Sequence, residues 1–238
     1  MSLPQHIKVK KEDVAERVIM SGDPARVVQL SKALDDARLI NENRGFVMYT
    51  GRYKGTPVTL ACHGIGAASA ALVFEELVML GAKSLVRLGS SGALKKGMAI
   101  GEVVVPTGAA YLGGTLEQYV PDAHLTPVPD FQLTHQIVSS AAEAGLTHYV
   151  GPVFSSDAFY AEDPNFVGRW AGRGYIAVEM ECATIFGLAL MRGVKAGSLL
   201  LISDNLAEMT PMVDAEYLKP FVEKSSRAVF EALTKVPA

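Results

Sequence analysis

Only two cysteines occur in the 238 residues, Cys62 in TLACHG and Cys182 in MECATIF, and they share no CxxC spacing. Isolated thiols in apolar surroundings read as reduced core residues, which argues against a disulfide scaffold or a thiolate zinc site. No His/Cys ligand cluster accompanies them, and no bound metal is expected. Long apolar runs are missing too: none approaches about 18 residues without a charge, so no membrane-spanning helix is expected. The N-terminal MSLPQHIKVKKEDVAERV lacks the apolar core of a signal peptide, which makes the cytoplasm the expected location. Basic clusters are absent as well, with 22 Lys and Arg scattered, a net charge of -3 and a pI near 6.0. A phosphate backbone demands a concentrated basic surface, so nucleic acid is not an expected partner. No Pro/Gly/Ser-rich linker or charge block divides the chain, and residues 1–238 are read as one domain.

What is present is a balance of 49% hydrophobic and 20% charged residues, enough for a large buried core. Short aliphatic runs recur, each broken at a glycine and followed by a helical pattern. RVIM (17–20) leads into SGDPARVVQLSKAL, and PVTLAC (57–62) leads through HGIGA into SAALVFEELVMLG. SLVRLG (84–89), IGEVVVP (100–106) and GSLLLISDN (197–205) continue the series. Apolar positions 72, 73, 77 and 80 share one helical face that Gly81 should end. Asp214 begins a terminal helix in which Pro220 falls near the first turns and is a candidate kink. Alternating strands and helices predict an α/β fold with a largely buried sheet. Ligands in such folds gather at the carboxyl ends of strands.

Four breaks occupy that position. In SGDPAR, Gly22 permits close backbone approach, Asp23 can cap and Pro24 suits the first helical residue, so Arg26 falls beside free N–H groups. This is an anion site or, more plainly, a capped helix with a solvent-facing arginine. In RLGSSGAL, Arg87 stands just inside a strand end, and Gly89 and Ser90 open a small-residue turn whose N–H groups and hydroxyl could form a nest for an oxyanion. An arginine in an apolar strand needs a carboxylate or a bound anion. Arg44, in NENRGFVMYTGRYKG, fits an exposed edge strand equally well. Asp204 in SDN is a cap, or an acid if burial raises its pKa. His63 in HGIG reads as a packed residue more readily than as a base or ligand. GYIAVEMECATIFGLAL carries Glu179 and Glu181 in an apolar setting, where each needs solvent, a partner or a polar ligand. Extended backbone would put both on one side; a helix start would favour acids near its positive end.

Taken in order, SGDPAR, NENRGFVMYTGRYKG, HGIGAAS, VRLGSSGAL, SSDAFY, AVEMECA and SDN resemble the nucleoside phosphorylases of the purine nucleoside/uridine type, from about residue 6 to the terminal helix. The resemblance implies a single domain with a central mixed, partly barrel-like β-sheet flanked by helices. It implies transfer of the pentose of a nucleoside to inorganic phosphate, which is a co-substrate, with no cofactor. By the same resemblance Gly22, Arg26, Arg87, Gly89 and Ser90 hold phosphate, with Arg44 reaching in from a neighbouring subunit. Met180 and Glu181 hold the ribose, with Glu179 in the same wall and the neighbour's His6 at the 5′ end. Phe159 stacks on the base, Ser203 adjoins it, and Asp204 protonates the purine ring. A homo-oligomer, in the form of a hexamer, is the implied assembly, and purine salvage the implied setting. Uridine-specific members carry a Gln and an Arg soon after the FY pair; AEDPNF has neither, which favours purines. Bacterial purine members also have an arginine in the helix after SD, whereas here none occurs before Arg227, leaving Lys219 and Lys224 as candidate substitutes. SDNLA looks like archaeal-type members, some of which cleave 5′-methylthioadenosine. The alternatives are a uridine phosphorylase, a same-fold nucleosidase using water, and a non-catalytic nucleoside-binding protein.

Overall fold

In the computed structural model, which describes residues 4–161 and 163–238, each aliphatic run becomes a strand. The first forms β1 (Arg17–Ser21) and passes through Gly22 into α1 (Pro24–Ser31). The Asp23 carboxylate accepts from the Ala25 N–H at 2.8 Å, and Pro24 takes the first helical position, where its missing N–H has no consequence. An antiparallel meander follows: β2 (Asp35–Asn41), β3 (Met48–Tyr53) and β4 (Thr56–Cys62). Lys54 and Gly55 make its two-residue hairpin, with φ of 48° and 79°, the pair of positive values that matches the twist of the flanking strands. Helix α2 (Ala67–Met79) then ends at Leu80, and Gly81 follows at φ 104°, as the sequence predicts.

The remaining elements are β5 (Ser84–Ala93), β6 (Val103–Ala110), α3 (Thr115–Tyr119), α4 (Phe131–Glu143), β7 (His148–Ser155), α5 (Phe166–Gly172), β8 (Ala177–Glu179), α6 (Cys182–Arg192), β9 (Lys195–Asn205) and α7 (Ala215–Lys235). One mixed sheet runs β2-β3-β4-β1-β5-β8-β7-β6-β9, and β9 returns to pair with β5. That last pairing closes β5, β8, β7, β6 and β9 into a five-stranded barrel, from which β1 to β4 extend as an open wing. Helices cover both faces: α2 and α6 bury Phe74, Leu77, Ile185 and Phe186 on one, and α1, α4 and α7 bury Leu30, Leu133, Phe230 and Leu233 on the other. Cys62 and Cys182 are free and buried. Among the described residues no helix is long and apolar enough to cross a membrane.

One expectation needs correction. RLGSSGA is not a turn after a short strand; β5 continues through it to Ala93, paired along its length with β9, so Arg87 lies in mid-strand. The glycines that suggested a turn serve close approach instead. A Cβ on Gly92 would lie 2.3 Å from Leu206 Cδ1 and 2.9 Å from Asp204 Oδ2. Pro220 is tolerated inside α7, which runs unbroken to Lys235, and Asp214 caps it by accepting from the Tyr217 N–H at 2.8 Å.

Candidate functional site

The strand ends of the barrel and its wing converge on a cavity of about 410 Å³, within the range typical of small-molecule sites. Its floor at one end is the β1–α1 turn, with Gly22 and Arg26, beside Arg87, Gly89 and Ser90 of β5. Its other walls are Glu179, Met180 and Glu181 between β8 and α6, Ser203 and Asp204 near the end of β9, and Phe159 from the β7–α5 loop. The chain thus brings together every phosphate- and nucleoside-binding candidate except His6 and Arg44, while His63, Lys219 and Lys224 do not line the cavity.

Arg26 is 7% exposed and donates from Nη1 to the Leu88 carbonyl at 3.3 Å, so it is an inward residue and not the solvent-facing arginine of the plainer reading. Burial lowers its pKa, Asp23 partly offsets that, and neighbouring Arg87 adds to the lowering; a guanidinium keeps its proton regardless. Two buried cations side by side are poorly tolerated unless an anion joins them.

Arg87 is the centre of the site. Its Nη2 donates to Glu181 Oε2 in a short contact and lies 3.7 Å from Glu179 Oε2, while its Nε and Nη1 are buried without a partner. Burial opposes its charge, but Glu181 and then Glu179 outweigh burial and raise the pKa. Gly89 is required by this placement, since a Cβ there would meet Arg87 Nη1 at 1.6 Å.

The two glutamates separate cleanly. Glu179 ends β8, and its carboxylate is spent on the protein: Oε1 accepts from Ser155 Oγ, and Oε2 from the N–H groups of Glu181 and Cys182 at 2.8 and 2.9 Å. It therefore caps α6 from within the cavity wall. Glu181 is the N-cap residue of α6, with φ -135° and ψ -21°, and accepts from the Gly66 N–H at 2.8 Å and from Arg87. Burial pushes its carboxyl up, but Arg87, then His63 and the Gly66 N–H, bring it below the ordinary range. The backbone is neither a continuous strand nor a helix across VEME: it leaves one at Glu179 and enters the other at Cys182.

Asp204 accepts from Ser203 Oγ at 2.7 Å, and burial raises its pKa above the usual carboxylate value, that hydrogen bond offsetting part of the rise. Neither lysine proposed as its partner reaches it. Lys219 pairs with Glu216 at 2.5 Å, and Lys224 donates to the Gly145 carbonyl at 3.0 Å. Phe159 is half exposed, meeting Tyr160 edge-on at 5.1 Å between ring centres.

His6 and Arg44 lie apart from this cavity but beside each other's segments. The Asn43 side chain donates to the His6 carbonyl at 2.7 Å, and His6 Nδ1 lies 2.8 Å from Glu76. Arg44 itself is exposed at φ 57°. The sequence reading missed Ile65, Ser156, Leu206 and Met212, which also line the cavity. Ile65 carried a signal, an aliphatic side chain between two loop glycines, and it is 76% exposed. Met212 carried none, because only the return of the chain after β9 brings it in.

A model of the phosphorylase superfamily matches residues 16–236. The chain is 36% identical to a guanosine phosphorylase of Halorubrum lacusprofundi, over 98% of this chain and 99% of that one. It is 34% identical to a uridine phosphorylase of Thermococcus kodakarensis, over 84% and 76% of the two chains. It is also 34% identical to a DeoD-type purine nucleoside phosphorylase of an Exiguobacterium species, over 84% and 86%. With a matched model spanning nearly the whole chain and relatives of these names along its length, this protein belongs to the nucleoside phosphorylase family.

Proposed function

We propose that the protein cleaves purine nucleosides with inorganic phosphate, releasing the free base and a pentose 1-phosphate. One observation carries the reading: Arg87 keeps two buried, unpartnered donors, Nε and Nη1, beside a cavity that also holds Arg26, the Glu181 carboxylate and an Asp204 carboxyl whose pKa is raised. Phosphate fits the arginine end, beside Gly22, Gly89 and Ser90. The sugar fits against Met180 and Glu181, whose carboxylate can accept from hydroxyls, and the base fits between Phe159 and Asp204.

In this arrangement a phosphate oxygen forms the new bond to the anomeric carbon while the glycosidic bond breaks and its electron pair passes to the base. Positive charge develops on the sugar ring, and the dianion held beneath it stabilises that charge while acting as nucleophile. Protonated Asp204 gives its proton to the purine ring nitrogen, so the base leaves neutral. No cofactor enters the reaction. His6 and Arg44 then act on the site of a second subunit in a homo-oligomer, proposed as a hexamer, which agrees with their distance from the cavity of their own chain. Cytoplasmic purine salvage is the corresponding setting.

The relative named as a uridine phosphorylase makes pyrimidine nucleosides a necessary part of the test. A panel of adenosine, inosine, guanosine, 5′-methylthioadenosine and uridine is assayed for base release with and without phosphate. Phosphate-dependent release from purines with formation of pentose 1-phosphate is the expected result. Full-rate release without phosphate would establish a hydrolase instead, preference for uridine would overturn the purine assignment, and binding without turnover would leave a nucleoside-binding protein.

A further inference from the structure

His63 directly follows β4 and is completely buried, yet neither ring nitrogen has a hydrogen-bond partner. The backbone around it is well tied: its N–H donates to the Ser21 carbonyl at 2.9 Å, and its carbonyl accepts from Ser69 Oγ at 2.6 Å. An imidazole fixed in place with both nitrogens unsatisfied is unusual, because a buried polar group ordinarily finds a partner.

Three charged groups act on the ring electrostatically: Arg87 from β5, Glu181 at the start of α6, and Arg26 from α1. The same loop touches the same carboxylate from its backbone, since the Gly66 N–H donates to Glu181 Oε1. Gly22 completes the enclosure, with its virtual Cβ 3.6 Å from His63 Cε1.

Glu181 faces a conflict of partners. Arg87 occupies its Oε2 in this structure, but phosphate bound at Arg26 and Arg87 competes for the same guanidinium. A buried carboxylate losing its cation while awaiting sugar hydroxyls keeps only the Gly66 N–H. We propose that His63 is a positioning residue for Glu181: when phosphate draws Arg87 away, one ring nitrogen of His63 donates to the Glu181 carboxylate and holds it facing the sugar. The assignment rests on the phosphorolytic reading above. Burial and then Arg87 hold the imidazole pKa down at about 4, so the ring is neutral near pH 7. A neutral ring supplies one N–H donor without adding charge beside Arg26 and Arg87.

Wild-type phosphorolysis is measured first, so that a phosphate-independent enzyme is recognised as a failure of the functional reading and not of this one. His63→Phe keeps a planar ring and removes both nitrogens; His63→Gln restores a donor. Saturation kinetics use the best nucleoside of the panel and its 2′,3′-dideoxy counterpart, and calorimetry with inorganic phosphate alone reads the anion site. In H63F the ribonucleoside KM should rise about tenfold or more, the size of a lost hydrogen bond to a charged group. The penalty should shrink toward unity with the dideoxy substrate, phosphate affinity should stay within about twofold, and H63Q should recover most of the loss. Equal penalties for both sugars, loss of phosphate affinity with sugar affinity intact, or H63Q as impaired as H63F would each overturn the proposal. If H63F does not fold, histidine ring 15N shifts in the wild type decide. The His63 signals, assigned by their loss in H63Q, should move on adding phosphate with the dideoxynucleoside, and unchanged signals would overturn it.

Discussion

Arg87 and Glu181 form an ion pair inside the cavity, each about 5% exposed, and the pair joins the proposed anion end of the site to the proposed sugar end. Truncating one partner leaves the other charge buried and alone, which typically costs about 3–5 kcal/mol, whereas replacing both with apolar groups of similar size costs far less. Arg87→Ala should therefore lower unfolding free energy by about that amount and sharply raise the phosphate KM, and Arg87→Met combined with Glu181→Leu should be inactive yet more stable than either single change. Urea denaturation of the wild type, Arg87→Ala, Arg87→Met, Glu181→Leu and the double variant checks this, and a double variant weaker than both of its singles would contradict it. The pH dependence has a definite sign. Because the Glu181 pKa is lowered in the fold, the pair's contribution is present above the ordinary value of 4.5 and is lost as pH falls through the lower native value.

Gly89→Ala isolates the anion end. The added methyl would meet the guanidinium of Arg87, which is the movable end of a long side chain, so the strain resolves by displacing Arg87 and not the barrel. Phosphate KM should rise about tenfold or more, the cost of one misplaced charged contact, while the thermal midpoint falls by less than in Arg87→Ala, because the guanidinium stays in the cavity near Glu181. A large drop in stability with normal phosphate saturation would show that the strand, and not the arginine, is what Gly89 serves.

Much of this site was legible because small and charged residues stand out against aliphatic strands. SGDPAR announced a capped helix after a strand, and the structure keeps that cap, but the local pattern left open whether Arg26 faces solvent or an anion, and only the resemblance to the family pointed it inward. The Gly and Ser residues of RLGSSGA misled, because the same residues mark a turn and permit close packing inside a barrel; only the pairing of β5 with β9 tells them apart. Glu179 and Glu181, two residues apart in one motif, look equivalent in sequence. They diverge because β8 ends and α6 begins between them, giving one carboxylate to helix N–H groups and leaving the other for the cavity. His63 was set aside as a packed residue, since burial without a partner is a three-dimensional property.

Glu76 of α2 offers a test outside the cavity lining. Its carboxylate gathers the N–H groups of Gln5, His6 and Ile7, the last at 2.6 Å, together with His6 Nδ1. Burial opposes the ionised form, but these donors lower its pKa, so the clamp holds above 4.5 and loosens as pH falls through the lower native value. Glu76→Ala should speed amide exchange of residues 5–7 by at least about tenfold with the barrel unaffected, as local opening does not require global unfolding. If His6 serves a neighbouring site, the nucleoside KM rises in the same variant. Unchanged exchange at residues 5–7 would mean that the segment is held by other contacts.

Asp204 carries the sharpest pH argument. Its pKa is raised above 3.8 by burial, so its protonated form survives to higher pH than an exposed aspartate would allow. If that proton goes to the leaving base, kcat/KM for an ordinary purine nucleoside should decline as pH rises through the native pKa, and Asp204→Asn should remove the dependence and lower kcat by about 10²–10⁴. A 7-methylpurine nucleoside, whose base already carries the positive charge, should lose little in the same variant. Stability should move in the opposite direction. A carboxyl with a raised native pKa stabilises the fold below its unfolded value and forfeits that contribution as pH rises through the native one, so above the native pKa the ionised Asp204 is a burden. Asp204→Asn should thus show a higher thermal midpoint at pH above the native pKa of Asp204, with the gain disappearing below 3.8. Equal losses of activity for the ordinary and the methylated substrate would remove Asp204 from the proton transfer, and a lower midpoint above the native pKa would show that its carboxylate is stabilised by more than Ser203.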